Sequence, residues 1–214
     1  AAYMVAGFVH GVLNTDNIAI TGESFDYGPW RFTPLWDPAF TAAYFDEQGL
    51  YAFGRQPQVI HWDAGQLVVA LSLITPAEPL LAALSSFGEA YLAALAERFC
   101  WRLGVSSAGT EADEALIRAA QHWMQQQGQP IDAFFVDWAG GRVPGDAAGE
   151  AAAALQAALS GRRATRGEWW RSAAPQSLQI EEVERLWAPV AAEDDWQPLL
   201  GKINAIRAMG AALA

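Results

Sequence analysis

Cysteine is almost absent from this chain of 214 residues: Cys100 is the only one. An internal disulfide framework is therefore excluded, and so is a cysteine-based zinc site. Cys100 lies in an apolar helical stretch, Ala93 to Leu103, and reads as a small buried hydrophobe. Lysine is equally scarce, with Lys202 standing alone late in the chain. Neither a glycine-rich phosphate loop nor a lysine placed to hold a nucleotide is recognisable. No uninterrupted apolar run reaches the ~18 residues of a membrane span, so none is expected. Charged residues make up only 17%, and Lys and Arg number 13 against 24 Asp and Glu. The resulting net charge of -11 repels phosphate backbones and disfavours a nucleic-acid partner.

What is present is apolar and aromatic. Hydrophobic residues reach 52%, with ten Trp and ten Phe, enough for a substantial core and against wholesale disorder. The first residues, Ala1 to Val9, are apolar and carry no basic flank, so they do not read as a signal peptide. They read as the last turns of a buried helix whose chain is cut upstream, since no initiator Met opens it. The single thiol fits a reducing compartment.

The chain predicts a mainly α fold with one small β-hairpin. Asn17 to Thr21 is β-prone, Gly22-Glu23 signals a turn, and Ser24 to Asp26 returns as a second strand. Residues 30–58 read as a packed irregular segment pinned by Trp30, Phe32, Trp36, Phe40, Tyr44 and Tyr51. Helical spacing runs from Val59 through Leu67, Ala70, Leu71 and Ile74. After Pro76 and Pro79, a long helix is expected over Leu80 to Leu103. Thr110 reads as the N-cap of a helix reaching about Gln127, with Glu111, Asp113 and Glu114 in its first turn. Further helices are expected over 130–138, 147–159, 177–190 and 196–213, with loops at 140–145 and 161–167. Arg162, Arg163, Arg166 and Arg171 read as a solvated basic loop, Trp169-Trp170 as a helix anchor, and Glu181, Glu182 and Glu184 as a solvated face. His61 and His122 have no Cys or His at ligand spacing.

The chemistry concentrates in His10-Gly11-Val12-Leu13-Asn14-Thr15-Asp16-Asn17, followed nine positions later by Asp26-Tyr27-Gly28. Two readings of these residues are open. Asn14, Asp16 and Asn17 form Asx turns and Asp26 closes a strand. Alternatively, the hairpin sets Asn17 and Asp26 opposite one another, two hard oxygen donors for one Mg²⁺, with Asp16 beside them to take a proton from a hydroxyl. His10 reads as a structural hydrogen-bonding group.

The spacing resembles the protein-kinase pattern H-R-D-x-x-x-x-N followed by D-F-G, with Val12 in place of the usual catalytic Asp. The fuller string, together with Asp46, Gly49, Tyr51, Gln56-Pro57 and Trp62, resembles the selenoprotein O family, densely from Val5 to Leu71 and loosely to Trp138. That resemblance implies a kinase-like C-lobe over 1–138, a helical extension over 139–214, and AMP transfer from ATP to Ser, Thr or Tyr hydroxyls of proteins. It implies Asp16 as proton acceptor, Asn17 and Asp26 as ligands of Mg²⁺ (or Mn²⁺), and Asp26 near ATP. It implies the cytoplasm in a bacterium and the mitochondrion in a eukaryote. The family's phosphate loop and lysine lie upstream, so ATP binding by this chain alone is not expected. The family's redox-active residue near the C-terminus has no counterpart in Met209 to Ala214. A phosphotransferase on the same fold and an inactive binding module are the rival readings.

Overall fold

The computed structural model describes residues 1–165 and 176–213. Arg166, Gly167, Trp169, Trp170 and Arg171, for which roles were expected, lie outside them. The fold is mainly α, and the chain divides into two compact units, 1–33 with 37–98 and 34–36 with 99–214.

The first unit opens with helix α1, Ala2–Ala6, which stops at Gly7. Gly7 adopts φ 70°, a left-handed conformation that costs glycine little, and this ends the helix. Strand β1, Phe8–Val9, then pairs antiparallel with β2, Arg31–Phe32, in the register Phe8 to Phe32 and Val9 to Arg31. The intervening residues form a loop that leaves and returns to this two-stranded sheet.

The expected hairpin inside that loop is only partly realised. A single antiparallel bridge joins Ile18 to Ser24. Ala19 N–H donates to Glu23 O at 2.7 Å, and Phe25 N–H to Asn17 O at 3.0 Å. No strands extend from the bridge. Ile20, at the tip, is 76% exposed, so this run has no layer on which to bury alternate side chains.

Aromatic packing explains where the true sheet sits. The Phe8 ring lies 4.7 Å from Tyr3, 5.9 Å from Tyr27, 6.0 Å from Trp30 and 5.5 Å from Phe32. Trp36 is buried, but Tyr44, expected to pin a loop, is 94% exposed. In the irregular segment Asp46 does much of the ordering instead. Its carboxylate accepts the Leu50 and Tyr51 N–H groups at 2.7 and 2.8 Å.

A 3-10 turn, Phe53–Arg55, leads into α2, Gln56–Leu71. Pro57 sits in its first turn, where the missing N–H costs nothing. Helix α2 ends before the expected Ile74, and Leu73 and Ile74 stand exposed. The helix expected over Leu80 to Leu103 is two helices, α3, Ala77–Ser85, and α4, Phe87–Leu103. The Ser85 and Ser86 hydroxyls donate to the carbonyls of Ala82 and Ala83, both at 2.8 Å, and compete with the backbone ladder at the break. By length and composition the run Ala77–Leu103 is apolar enough to cross a membrane, an 18-residue window within it having mean hydropathy 1.3. Glu89, Glu97, Arg98 and Arg102 interrupt that run, so no uninterrupted apolar stretch of that length exists.

The second unit takes over at Phe99 in α4. It continues with α5, Thr110–Gln127, α6, Ile131–Asp137, a short turn Ala139–Gly141, α7, Gly149–Leu159, α8, Ile180–Glu193, and α9, Gln197–Leu213. Its core holds Phe99, Leu103, Leu116, Met124, Phe134, Phe135, Trp138 and Leu155, all buried. Helix α5 packs on α7. Gly109, not Thr110, occupies the N-cap of α5, and it offers no side chain. Asp113 substitutes from within the first turn by accepting the Ala108 N–H at 3.0 Å and the Ser107 hydroxyl.

Arg162 corrects the expectation of a solvated basic loop. Its side chain is 1% exposed and pairs with Asp113. It also donates to the carbonyls of Ala158, Ser106 and Ala112 at 2.9, 3.1 and 2.9 Å. One guanidinium thus ties the loop after α7 to the start of α5. Glu182 is likewise not merely solvated, since it pairs with Arg185 and, at 3.2 Å, with Lys202. Cys100 is buried as expected, and burial, with Asp113 adding to it, pushes its thiol up to about 11.

Removing Arg162 strands a buried carboxylate. Arg162→Met is expected to destabilise the protein by ~3–5 kcal/mol, measured by urea unfolding. Burial raises the Asp113 carboxyl, but hydrogen bonds from Ser107, Ala108 and Arg162 outweigh it and hold the group below its ordinary 3.8. A lowered carboxyl stabilises the fold fully above its unfolded value, and that stabilisation is lost as pH falls through the lower folded value. Unfolding midpoints measured from pH 5 down to 2 are expected to fall in the wild type and to fall less in Asp113→Asn.

Candidate active site

The loop carrying the chemistry is held from beneath by His10, which is fully buried. Its Nδ1 accepts the Val12 N–H at 3.4 Å, which leaves the proton on Nε2 to donate to Phe25 O at 3.0 Å. One imidazole therefore joins the outgoing and returning arms of the loop. Both ring nitrogens are engaged, which is a bracing role and leaves none for acid–base work.

Gln56 completes this bracket from the first turn of α2. Its Oε1 accepts the His10 N–H at 3.1 Å, and its Nε2 donates to Phe8 O at 2.9 Å. Gly11 sits between them with φ 87°. A Cβ there would lie 2.8 Å from Pro29 Cγ and 3.2 Å from Ala42 Cβ, so both conformation and space demand glycine.

The three residues expected to carry the reaction are set out on this frame. Asn17 is buried, and its Nδ2 donates to Val12 O at 2.8 Å, which commits the amide nitrogen and leaves the oxygen as the group on offer. Phe25 N–H donates to Asn17 O, so Phe25, and not Asp26 as expected, stands opposite Asn17, with Asp26 one residue further along the returning arm. Asp26 is exposed and adopts φ 56°, which turns it out of the returning arm. Asp16 is exposed and adjoins Asn17. The donor set is one amide oxygen and one carboxylate, both hard ligands, a suitable pair for Mg²⁺ when phosphate oxygens and water supply the rest. Among the described residues no three His, Cys, Asp or Glu side chains group to hold a metal by themselves.

Two polar residues behind the loop escaped the sequence reading as site residues. Gln56, Val59 and Asp63 form the buried face of α2, at a spacing of three and four residues. Asp63 is 7% exposed, and among the described residues no group donates to either of its carboxylate oxygens; the same holds for the buried Asn14 Oδ1. Burial, then repulsion from Asp16, pushes the Asp63 carboxyl up to about 6. The legible signal was the helical stripe itself, which places an acid where an apolar residue belongs.

These features belong to a class of helical proteins with a braced acidic loop, and sequence comparison assigns the family. The family model for the protein adenylyltransferase SelO matches residues 1–174. A protein nucleotidyltransferase YdiU of Gloeobacter violaceus is 33% identical over 97% of this chain and 47% of its own length. That of Synechocystis is 35% identical over 92% of this chain and 47% of its length, and that of Trichodesmium erythraeum 46% over 54% and 25%. The chain belongs to the SelO protein adenylyltransferase family. It spans about half the length of the curated relatives it matches.

The bracket is testable through stability. Gln56→Ala leaves the His10 N–H and Phe8 O without their buried partner, and a loss of ~1–3 kcal/mol is expected in chemical denaturation. Gly11→Ala is expected to cost at least as much, because it combines backbone strain with a clash against Pro29.

Proposed function

We propose that this chain supplies the catalytic loop of a protein AMP transferase that uses ATP. The observation that supports the reading is the hydrogen bond from Phe25 to Asn17, which joins the arm carrying Asp26 to the arm carrying Asp16 and Asn17. Family membership supports it. In this reading the kinase-like C-lobe spans 1–138, and 139–214 is a helical extension.

Asp16 accepts the proton of an acceptor hydroxyl on Ser, Thr or Tyr, which then attacks the α-phosphorus of ATP. The new bond forms between that oxygen and phosphorus, the bond to the bridging oxygen breaks, and pyrophosphate leaves. Asn17 and Asp26 would hold Mg²⁺ or Mn²⁺, whose charge offsets that on the phosphates. Asn17 presents its oxygen because Val12 O holds its nitrogen. His10 keeps Asp26 in register with Asn17 by tying the two arms together.

Phosphate binding by lysine is left to a segment outside this chain. Lys202 is paired with Glu182, and the relatives are about twice as long as the part matched here.

The test uses the full-length gene product with α-labelled ATP, Mg²⁺ and a protein extract. Label is expected on protein and is expected to fall by on the order of 10²-fold or more in Asp26→Ala. Labelling from γ-labelled ATP in its place makes the protein a phosphotransferase, and silence from both makes it a binding module.

A further inference from the structure

Asp63 and Asn14 border one cavity of about 320 Å³, lined also by Leu13, Leu50, Tyr51, Val59 and Trp62. That volume is at the lower end for a ligand site and suits one long side chain better than a nucleotide. Its buried side-chain polar atoms that lack a partner among the described residues are all acceptors: two carboxylate oxygens and an amide oxygen. Buried acceptors of this kind call for a donor, and a charged donor satisfies the carboxylate best.

The walls specify the rest of the ligand. Leu13, Leu50 and Val59 offer apolar surface for an aliphatic stem. Tyr51 and the half-exposed Trp62 offer ring faces to a cation. The local field is negative: Asp63, Asp46 and Asp16 all act on the Tyr51 hydroxyl and, after burial, raise it. Arg55 is the one cationic side chain lining the cavity; it is exposed and donates to Gly49 O at 3.4 Å. Asp16 neighbours Thr15, a lining residue, so an occupant of this cavity lies close to the proposed proton acceptor.

We propose that the Asn14–Asp63 cavity is a recognition site for a basic side chain, arginine or lysine, of the protein that receives AMP. The site would select acceptor hydroxyls that have a basic residue near them in the folded or extended substrate. Asp63 is then a specificity-determining residue, distinct from the catalytic Asp16 and from the metal-holding pair. The assignment rests on the AMP-transfer reading for its role, but not for the chemistry of the cavity.

The experiment separates the two. Hydroxyl-bearing peptides are prepared with arginine at varied positions and as matched citrulline versions, which keep the shape and remove the charge. AMP transfer by the full-length gene product is measured for each. The best arginine peptide is expected to show a KM at least ~10-fold lower than its citrulline twin at similar kcat. That ratio is expected to fall to within ~2-fold in Asp63→Asn. Where Asp63→Asn fails to fold, Trp62→Leu at the exposed wall is expected to shrink the same ratio. Binding of the same peptides to Asp26→Ala, by calorimetry, reads the cavity without turnover.

Transfer with no arginine preference, or a preference unchanged in both variants, overturns the cavity assignment and leaves AMP transfer standing. Asp63-dependent binding of arginine peptides without any transfer upholds the cavity and overturns the AMP-transfer role. Asp63-dependent binding of Mn²⁺ alone, seen by electron paramagnetic resonance, makes the occupant a metal and overturns the proposal. So does a structure with Arg55 folded onto Asp63.

Discussion

A single buried imidazole bears most of the burden of organising the candidate site. His10 has to accept from Val12 and donate to Phe25 at once, and only one neutral tautomer does both. The loop between the two short strands is held besides by Tyr27, whose hydroxyl donates to Ser24 O at 2.7 Å and whose ring packs on Phe8. Its internal pairing is one bridge, its tip is exposed, and its strands are two residues long. His10 ties the arms that carry Asn17 and Asp26 to one another, and Gln56 braces it from beneath. A single backbone hydrogen bond, from Phe25 N–H to Asn17 O, adds to that tie.

The second unit is organised on the same principle with a charged group. The Arg162 side chain is buried, and five acceptors from α4, α5, α7 and the loop between α4 and α5 converge on it, counting the Cys100 sulfur at 3.7 Å. A buried guanidinium of this kind is worth more as a device for specifying one packing than as a source of net stability. In both units polar side chains on buried faces, rather than long strands or helix caps, fix where loops run.

The sequence was informative where local chemistry dominates. Helix spacing located α2, α5, α6, α7 and both last helices to within a few residues, because their apolar stripes are regular. The motif from His10 to Asp26 was legible because each member is a rare residue type at a fixed offset. Tertiary partners were not legible. The break at Ser86 depends on two hydroxyls choosing backbone carbonyls, and the β-prone run at Asn17 stays a turn for want of a layer to pack on. Arg162 looked solvated because its loop is basic and polar, whereas its acceptors come from segments about fifty residues away. Asp63 drew no reading from the sequence, although the stripe of α2 places it on the buried face with Gln56 and Val59.

The proposed transfer of AMP from ATP to protein by the acidic loop is read from the products of one turnover. Full-length gene product would be incubated with ATP, Mg²⁺ and a hydroxyl-bearing protein acceptor, and the released phosphates resolved by phosphorus NMR. Pyrophosphate is expected in amounts equal to AMP gained by protein, with both lost when Asp16 or Asp26 is neutralised. Release of ADP with phosphate gained by protein would contradict it.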